Sequence, residues 1–386
     1  MGGYIRKRGD AWRIEISMGL GVDGKYRRHS ETVHGRKSDA QKRLNEVLVN
    51  MEKGVFTPSR RLTVAEHLRN WLDGYVKTKC SLRTFDCYQS IIERHLIPAL
   101  GHIQLKQLHQ GAIQRYYGEA CQSLSSRTVH HYHRVLSESL KDAVRKGYLA
   151  RNPAELVDAP SPKGKAMRTL TPGEVEVLME TAKDNYYYPV IYTAVSTGLR
   201  QAELLGLRWR DIDLDMLSIS ISQVLYKRRG VCQFKEPKTS HSKRRVAMTP
   251  KLALFLRRYL SMRQDIYNNL GKPLSIDDLV FTSVNRLPVD PAVLSHAFAR
   301  VVSKAGLEKA RFHDLRHTFA SLMLMRNAKP KVISEALGHA SVAFTMDVYS
   351  HIIGGMQEDA MALLDGVLPA GVLQEFTPNL RQVNKY

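Results

Sequence analysis

The stretch between residues 197 and 351 gathers the most chemically reactive side chains of the sequence. Five short motifs follow one another there, and they read TGLR with a glutamate three residues on, PKT, HDLRH, LGH and DVYSH. Their candidate catalytic side chains are those of Arg200, Lys238, His313, Arg316, His339 and Tyr349. Two guanidiniums, an ammonium, two imidazoles and a phenol form a set suited to phosphoryl transfer without a metal ion.

The two arginines are suited to binding a phosphate group. Guanidinium groups bind nonbridging phosphate oxygens bidentately and stay charged at any working pH, so they can stabilise the extra negative charge of a five-coordinate transition state. Arg200 follows a Thr-Gly turn at the start of a predicted helix, where Glu203 can orient it. His313 and Arg316 lie three residues apart at the start of an apolar helix, which predicts a shared face.

The phenol of Tyr349 can be the nucleophile. An unperturbed tyrosine has a pKa of about 10 and needs a base and a positive field to attack near neutral pH. The arginines and histidines would supply both. Lys238 lies on a predicted hairpin loop and is suited to protonate the leaving oxygen as a general acid. Lys235 and Lys243 lie on the same hairpin, so the choice of lysine stays open.

Turn signals place the last two motifs at the ends of helices. Gly338 predicts a helix end with His339 just beyond it, and Ser341 predicts the cap of a final helix that carries Tyr349. Each motif alone has an ordinary structural explanation, because a lone tyrosine is usually a packed side chain. Three further histidines, His241, His317 and His351, are expected to be structural or surface residues. The interpretation depends on all five motifs occurring in this order within one module.

The composition predicts a folded protein with a polyanionic partner. The 386 residues suffice for two or three domains. Lys and Arg number 58 against 37 Asp and Glu, a net charge of +21, while 43% of residues are hydrophobic. A disordered polycation would lack that apolar fraction. We expect the partner to be nucleic acid rather than a membrane surface, because no Lys-rich amphipathic helix is evident.

Other features of the sequence limit location and cofactors. No apolar run approaches the roughly 18 residues needed to span a bilayer, and the first residues lack the apolar core of a secretory signal. Both observations predict a soluble, cytoplasmic protein without a membrane partner. The four cysteines form neither a C-x-x-C pair nor a zinc-site spacing, so no metal site is predicted.

The first 56 residues predict a small sheet-plus-helix module. Alternating apolar and polar side chains indicate three antiparallel strands, over residues 4–8, 12–18 and 25–33. A helix capped by Ser38 would then cover one face. The first 60 residues hold 13 Lys or Arg against 7 Asp or Glu, so the uncovered face is basic, either solvated or laid in a DNA groove. The candidate DNA contacts on it are Arg8, Arg13, Tyr26 and Arg28.

Two further modules are predicted beyond a short basic linker. Residues 62–159 indicate a helical module, which opens with a Thr63–Glu66 capping box and includes a helix that starts at Ser81 and stops at Pro98. Residues 166–358 indicate a module of helices with small strands, one of them over 217–226, and 359–386 form a tail. The predicted fold class is therefore mainly α with small β-sheets (α+β).

Taken together, the six candidate catalytic residues resemble the tyrosine recombinase family, and within it the integrases of temperate phages and integrative conjugative elements. Members of this family carry Arg, Lys, His-x-x-Arg, His and Tyr in that order, and the six residues match position by position. The module at 62–159 is similar to the family's helical core-binding domain. The module at 1–56 is similar to the domain with which such integrases bind arm-type sites.

The resemblance implies a site-specific recombinase of the type IB topoisomerase kind, with no metal ion, ATP or other cofactor. Tyr349 would attack the scissile phosphate and form a 3′-phosphotyrosyl bond, and the released 5′-hydroxyl would attack the partner duplex through a Holliday junction. The resemblance also implies a homotetramer on double-stranded DNA with core-type and arm-type sites in a bacterial cytoplasm. A host DNA-bending protein and an excisionase would assist it, and the tail at 359–386 would pack on a neighbouring subunit or on its own domain.

Three other functions are alternatives to an integrase. A non-catalytic DNA-binding regulator on the same fold would lack one or more of the six residues, and none is missing. A metal-dependent nuclease could use the histidines, but Asp314 stands where a zincin would place its glutamate. A replicon-dimer resolvase of the same family is the nearest alternative. The additional basic module at 1–56 favours an integrase, because dimer resolvases typically lack it.

Overall fold

The chain folds into helices with small antiparallel sheets. The computed structural model describes residues 3–20, 26–52, 62–162, 167–237, 243–307, 309–339 and 341–349. It separates into two compact units, Met1–Lys165 and Ala166–Tyr386. The predicted class, mainly α with small β-sheets, is confirmed. Among the described residues, no helix is both long and apolar enough to cross a membrane.

The first unit begins with a three-stranded antiparallel sheet and a helix. The elements are β1 (Gly3–Arg8), β2 (Ala11–Leu20), β3 (Tyr26–His34) and α1 (Lys37–Glu52), with the strands in the order β1-β2-β3. Ile14 and Ile16 point from β2 into a small core against Leu44 and Val47 of α1. The predicted Ser38 cap is wrong. The helix begins at Lys37, one residue before Ser38, and Asp39 accepts the backbone N–H of Arg36 at 2.8 Å.

A helical bundle with its own apolar core completes the first unit. Its helices are α2 (Val64–Trp71), α3 (Lys77–Lys79), α4 (Leu82–Ile91), α5 (Ile97–Leu100), α6 (Gln110–Ser123) and α7 (Ser126–Arg145). The Thr63–Glu66 capping box is confirmed. The predicted stop at Pro98 is wrong, because the chain continues from α4 through one π-helical turn, Ile92–Leu96, into α5. That turn shifts the hydrogen-bond register, and Pro98 then occupies the first turn of a new segment, where its missing N–H costs little.

The second unit surrounds a larger core with helices and two small sheets. Its elements are α8 (Pro172–Ala182), α9 (Tyr188–Thr197), α10 (Gln201–Leu204), β4 (Ile212–Asp213), β5 (Ser218–Ser220), β6 (Val224–Arg228), β7 (Val231–Lys235), β8 (Arg245–Ala247), α11 (Pro250–Asn269), α12 (Pro291–Lys304), α13 (Asp314–Met325), α14 (Pro330–Leu337) and α15 (Val342–Tyr349). One sheet has the order β4-β5-β8, and β6 and β7 form a separate hairpin.

The predicted strand over 217–226 is in fact two strands in two sheets. Ile221 is still bonded to the β4-β5-β8 sheet, because its N–H donates to the carbonyl of Arg244 at 2.9 Å. The side chain of Gln223 then donates to the carbonyl of Gly206 at 2.8 Å. These bonds lead the chain out of the β4-β5-β8 sheet and into the β6-β7 hairpin. The division of the whole chain into arm-binding, core-binding and catalytic modules stays a prediction.

Candidate active site

The turn between α9 and α10 fixes the backbone of Arg200. Gly198 ends α9 in the left-handed conformation, with a φ of 65°. A Cβ there would lie 2.5 Å from the Phe319 ring and 2.7 Å from Leu337, so glycine alone lets this turn pack against α13 and α14. Arg200 then caps α10. Its backbone N–H and its Nη1 each donate to the Glu203 carboxylate at 2.9 Å, so Glu203 orients Arg200 as the sequence spacing predicts.

Arg316 lies in the interior of the site. Its side chain is 4% exposed, and it donates to the carbonyl of Gly198 at 2.9 Å and to that of Leu337 at 2.6 Å. Burial and the charge of Arg200 lower the pKa of Arg316 to about 9. The guanidinium is still protonated at neutral pH, yet the partners that fix it are neutral carbonyl dipoles. Such a group gains from an anion that completes its coordination.

The turn after α14 brings the two arginines together. Gly338 ends α14 with a φ of 64°, as its position in the sequence predicts. Arg200 donates through Nη2 to the carbonyl of Gly338 at 3.1 Å, and Arg316 donates to the carbonyl one residue before it. Two guanidiniums that are 116 residues apart in the sequence are therefore anchored on consecutive carbonyls of one turn.

Two candidate histidines of the site, His339 and His313, are neutral at pH 7. His339 directly follows the turn after α14, and its Nδ1 lies 2.7 Å from the Thr345 hydroxyl. Partial burial and then Arg316 lower the pKa of His339 to about 4. His313 lies just before α13 with an exposed side chain, and its pKa is also lowered, first by partial desolvation and then by Arg316. The predicted shared face of His313 and Arg316 is only partly realised, because one side chain is exposed and the other buried.

Tyr349 is buried and bonded to a histidine that the sequence analysis set aside. It ends α15, is 1% exposed, and packs on Leu324, Ile333 and Leu337. Its hydroxyl oxygen lies 2.8 Å from Nδ1 of His317. Burial raises the pKa of Tyr349 to about 12, while burial and then His313 lower that of His317 to about 4. The phenol is therefore protonated and the imidazole neutral, and the two groups share one hydrogen bond.

Sequence reasoning expected His317 to be structural or a surface residue. It lies 32 positions before Tyr349, so no local spacing indicated this contact. Arg244 was also missed as a site residue. Its side chain is 8% exposed and binds Glu203 through a salt bridge of 2.9 Å. The sequence signal for His317 was its position directly after Arg316. No local spacing indicated the contact of Arg244 with Glu203, which lies 41 positions earlier.

The candidate general acid, Lys238, lies outside the described residues, as do His241, His351 and the tail at 359–386. The two competing lysines of the hairpin are described. Lys235 places its Nζ 4.4 Å from the centre of the Tyr226 ring, and Lys243 pairs with Glu236 at 2.7 Å. Each ammonium group thus has a partner on or beside the β6-β7 hairpin.

The candidate DNA contacts of the first unit lie on the face of the sheet that α1 leaves uncovered. Arg13 pairs opposite Arg6, and Arg28 opposite Ser17, on the face away from Ile14 and Ile16. Arg8 follows Arg6 at a spacing of two on β1 and is exposed, and Tyr26 is 74% exposed. Arg13 is held at 3.0 Å by Glu15 and donates to Ser30. The strand register thus aligns Arg6, Arg8, Arg13 and Arg28, whose contact with DNA stays a prediction.

Metal-binding chemistry has little support in the part of the chain that is described. Within those ranges, no three His, Cys, Asp or Glu side chains are grouped so that they could hold a metal ion. The rings of His313 and His317 do lie edge to face, with centres 5.2 Å apart.

Comparison with known proteins identifies the family. A profile described as "Phage integrase family" matches residues 168–353, and one described as "Phage integrase, N-terminal SAM-like domain" matches 63–120. The chain is 31% identical to the ICEBs1 integrase of Bacillus subtilis over 64% of this chain and 67% of that one. It is 26% identical to a XerC-like tyrosine recombinase of Caldanaerobacter subterraneus, over 94% and 97% of the two chains.

Solved structures show the same fold. A Tn1549 transposon integrase in complex with a circular intermediate DNA superposes with a TM-score of 0.69 at 21% identity, over 80% of this chain and 100% of that one. A lambda integrase dimer bound to a core site gives a TM-score of 0.56 at 19% identity, over 74% and 95%. The chain therefore belongs to the phage integrase family of tyrosine recombinases and is a site-specific DNA recombinase.

Proposed function

We propose that this recombinase integrates a mobile element by cutting and rejoining DNA at attachment sites, with Tyr349 as the nucleophile. One observation carries the proposal. Arg200 and Arg316 are anchored on consecutive carbonyls of the turn that precedes His339, in a partly buried cluster. Five of the six residues of the sequence pattern are described, and all five lie on α10, α13, α15 and the turns beside them.

The charge of this cluster is suited to a scissile phosphate. Arg200 and Arg244 both bind the carboxylate of Glu203, and the charge of Arg316 acts on the same group of side chains. Among these described side chains, positive charge exceeds negative charge. A phosphate that enters would balance the excess, and bonds made to it in a partly desolvated site are stronger than the same bonds in water. The effect increases as negative charge develops in the transition state.

The reaction then proceeds in two phosphoryl transfers. The Tyr349 oxygen bonds to phosphorus as its proton leaves to a base, and the bond from phosphorus to the 5′-oxygen breaks. That oxygen takes a proton from a general acid, for which Lys238 is the candidate. A 5′-hydroxyl from the partner duplex later attacks the phosphotyrosine and returns the tyrosine hydroxyl. One phosphodiester is exchanged for another at each stage, so neither ATP nor a metal ion is required.

The described conformation is a resting state of the nucleophile. Tyr349 is 1% exposed, its hydroxyl is hydrogen-bonded to His317, and the pKa of its phenol is about 12. A buried, protonated phenol is a poor nucleophile. DNA must therefore expose the hydroxyl and assist its deprotonation before attack. We expect the protein to cleave only at sites where it is fully assembled.

The assembly is proposed from the family and from the basic sheet. The proposed complex is a homotetramer that bridges core-type and arm-type DNA, with 1–56 on the arm sites and 62–159 on the core sites, and a host bending protein and an excisionase as partners. Family members have been solved on DNA, one on a circular intermediate and one as a dimer on a core site. The basic face of the sheet favours an integrase over a dimer resolvase, and the bacterial cytoplasm is the proposed location.

A covalent-adduct assay tests the proposal. Full-length protein is incubated with nicked suicide substrates from the ends of the element, in EDTA, and adducts are separated on a denaturing gel. Wild type should form an adduct, and Tyr349→Phe should form none while binding the same DNA. Tyr192→Phe, a partly buried tyrosine elsewhere in the second unit, is the matched control and should retain the adduct.

Other outcomes would redirect the proposal. An adduct in both wild type and Tyr349→Phe would assign the nucleophile to another residue. If neither protein forms an adduct on DNA that both demonstrably bind, the chain is a DNA-binding regulator on the recombinase fold. If EDTA alone abolishes the wild-type adduct, the metal-free mechanism is wrong.

A further inference from the structure

Arg244 connects three segments of the active site. It immediately precedes β8, and its side chain is 8% exposed. Its Nη1 and Nη2 donate to the two oxygens of the Glu203 carboxylate at 3.0 and 2.9 Å. Its Nε donates to the carbonyl of Ala336, in the last turn of α14, at 2.7 Å. One guanidinium thus joins the strand after the hairpin to α10 and to the end of α14.

The carboxylate of Glu203 is fully used by two arginines. Oxygen Oε1 accepts Nη1 of Arg200 and Nη1 of Arg244, and Oε2 accepts the backbone N–H of Arg200 and Nη2 of Arg244. Burial raises the pKa of Glu203, but the hydrogen bonds and charge of Arg244, with those of Arg200, outweigh burial and lower it. The carboxylate is therefore ionised, and its single charge is divided between two cations.

Because Gly338 has no side chain, Arg244 packs directly on the turn whose carbonyl holds Arg200. A Cβ on Gly338 would lie 2.9 Å from Nη1 of Arg244 and 3.1 Å from its Cζ, so the guanidinium packs directly on the glycine backbone. The carbonyl of the same glycine accepts Nη2 of Arg200. Arg244 thus touches both groups that hold the Arg200 side chain, Glu203 and the turn after α14.

We propose that Arg244 is a positioning residue of recombination that acts through Arg200. It fixes the carboxylate and the turn between which the Arg200 guanidinium is held. It also shares the negative charge of Glu203 with Arg200. Less of the positive charge of Arg200 is then neutralised, and more of it can act on the phosphate. Without Arg244, Glu203 pairs with Arg200 alone. The end of α14, just before His339, then loses the hydrogen bond that Arg244 donates to it. The inference rests on the proposed function.

The test compares two adjacent arginines, Arg244 just before β8 and Arg245 as its first residue. Arg245 is 55% exposed and binds Ser218 and Asp213, so Arg245→Ala removes the same charge one residue away. Adduct formation is measured in single turnover at saturating core DNA with full-length protein, and the Kd for that DNA is measured separately. Arg244→Ala should lower the rate about 100-fold and change Kd less than about threefold, while Arg245→Ala stays within about twofold of wild type.

Arg244→Lys adds a conservative variant that keeps the charge. An ammonium cannot span both carboxylate oxygens, so we expect it to restore less than about a tenth of the lost rate. Thermal melting identifies any variant that fails to fold, and the folded Arg244→Lys then decides the question. A wild-type rate in Arg244→Lys would overturn the proposal. So would a rate loss that matches the loss in DNA affinity, because that pattern belongs to general charge attraction.

A double-mutant cycle tests whether the effect passes through Arg200. In an Arg200→Lys background, Arg244→Ala should cost less than about threefold, because its target is already impaired. A full 100-fold loss in that background would show that Arg244 acts independently of Arg200, against the proposal. Failure here is distinct from failure of the proposed function. The latter is decided by the wild-type adduct and its dependence on Tyr349, whatever Arg244 does.

Discussion

The basic sheet of the first unit and the arginine cluster of the second use the same side chain in opposite ways. On the sheet, Arg8 and Arg28 are exposed, and Arg13 is partly exposed and paired with Glu15 at 3.0 Å. In the cluster, Arg316 is 4% exposed and bonded to two carbonyls. Exposed cations attract any polyanion through counterion release. Fixed, desolvated cations act at one place, where charge develops during a reaction.

This difference separates affinity from catalysis within one chain. Changes on the sheet should alter how tightly DNA binds and how strongly salt weakens that binding, with the chemical step untouched. Changes in the cluster should alter the chemical step far more than binding. Three predictions, ordered from the largest expected effect, probe this separation.

The largest effect is expected for Arg316→Met. The variant removes a buried cation that two carbonyls hold in place, so the single-turnover adduct rate should fall about 10³-fold. Arg263→Met is the matched control, because Arg263 is also 4% exposed and lies on α11, where it binds the Thr282 hydroxyl. It should retain the adduct rate within about threefold. An equal rate loss in both variants would mean that burying an arginine matters for folding alone.

An intermediate effect is expected for Gly338→Ala. Its φ of 64° strains any other residue, and its new Cβ would press on Arg244. Gly306 has the same φ of 64° with no atom within 4 Å of a Cβ, so Gly306→Ala measures strain alone, about 1 kcal/mol of unfolding free energy. Gly338→Ala should lower the free energy of unfolding by about 1 kcal/mol more than Gly306→Ala does. It should also lower the adduct rate at least about tenfold. Denaturant melts and adduct assays check both, and identical behaviour of the two variants would contradict the packing of Arg244 on this turn.

The smallest effect per residue is expected on the sheet. Arg28→Ala should weaken binding to arm DNA several-fold and reduce the slope of log K against log salt by about 1, with core cleavage unchanged. Arg43→Ala is the control, because Arg43 lies on α1 and is paired with Glu31 and Glu46. Binding across a salt series measures both. A salt slope that is unchanged in Arg28→Ala would remove this face from the DNA contacts.

Most local signals predicted the structure correctly where the partners lie within a few residues, and the Ser38 cap of α1 is an exception. The capping box at Thr63, the glycine ends of α9 and α14, and the pairing of Arg200 with Glu203 all follow from spacings of at most a few positions. Short-range geometry is fixed by backbone hydrogen bonds, so the sequence states it directly. The family pattern predicts the other candidate catalytic residues, and their roles stay a prediction.

Features set by distant contacts could not be read from the sequence. The contacts of His317 with Tyr349 and of Arg244 with Glu203 join residues 32 and 41 positions apart. The helix through Pro98 depends on a π-helical turn before it, and the broken strand at 217–226 depends on bonds to Arg244 and Gly206. In each case tertiary hydrogen bonds override a local propensity.

The most direct test of the account is to find the atom that bonds to DNA. Wild-type adduct from a suicide substrate is digested with protease and nuclease, and the modified peptide is sequenced by mass spectrometry. The chain has 17 tyrosines, and the account predicts that the nucleotide is attached through a 3′-phosphate to Tyr349 alone. A nucleotide attached to any other residue, or joined through a 5′-phosphate, would contradict it.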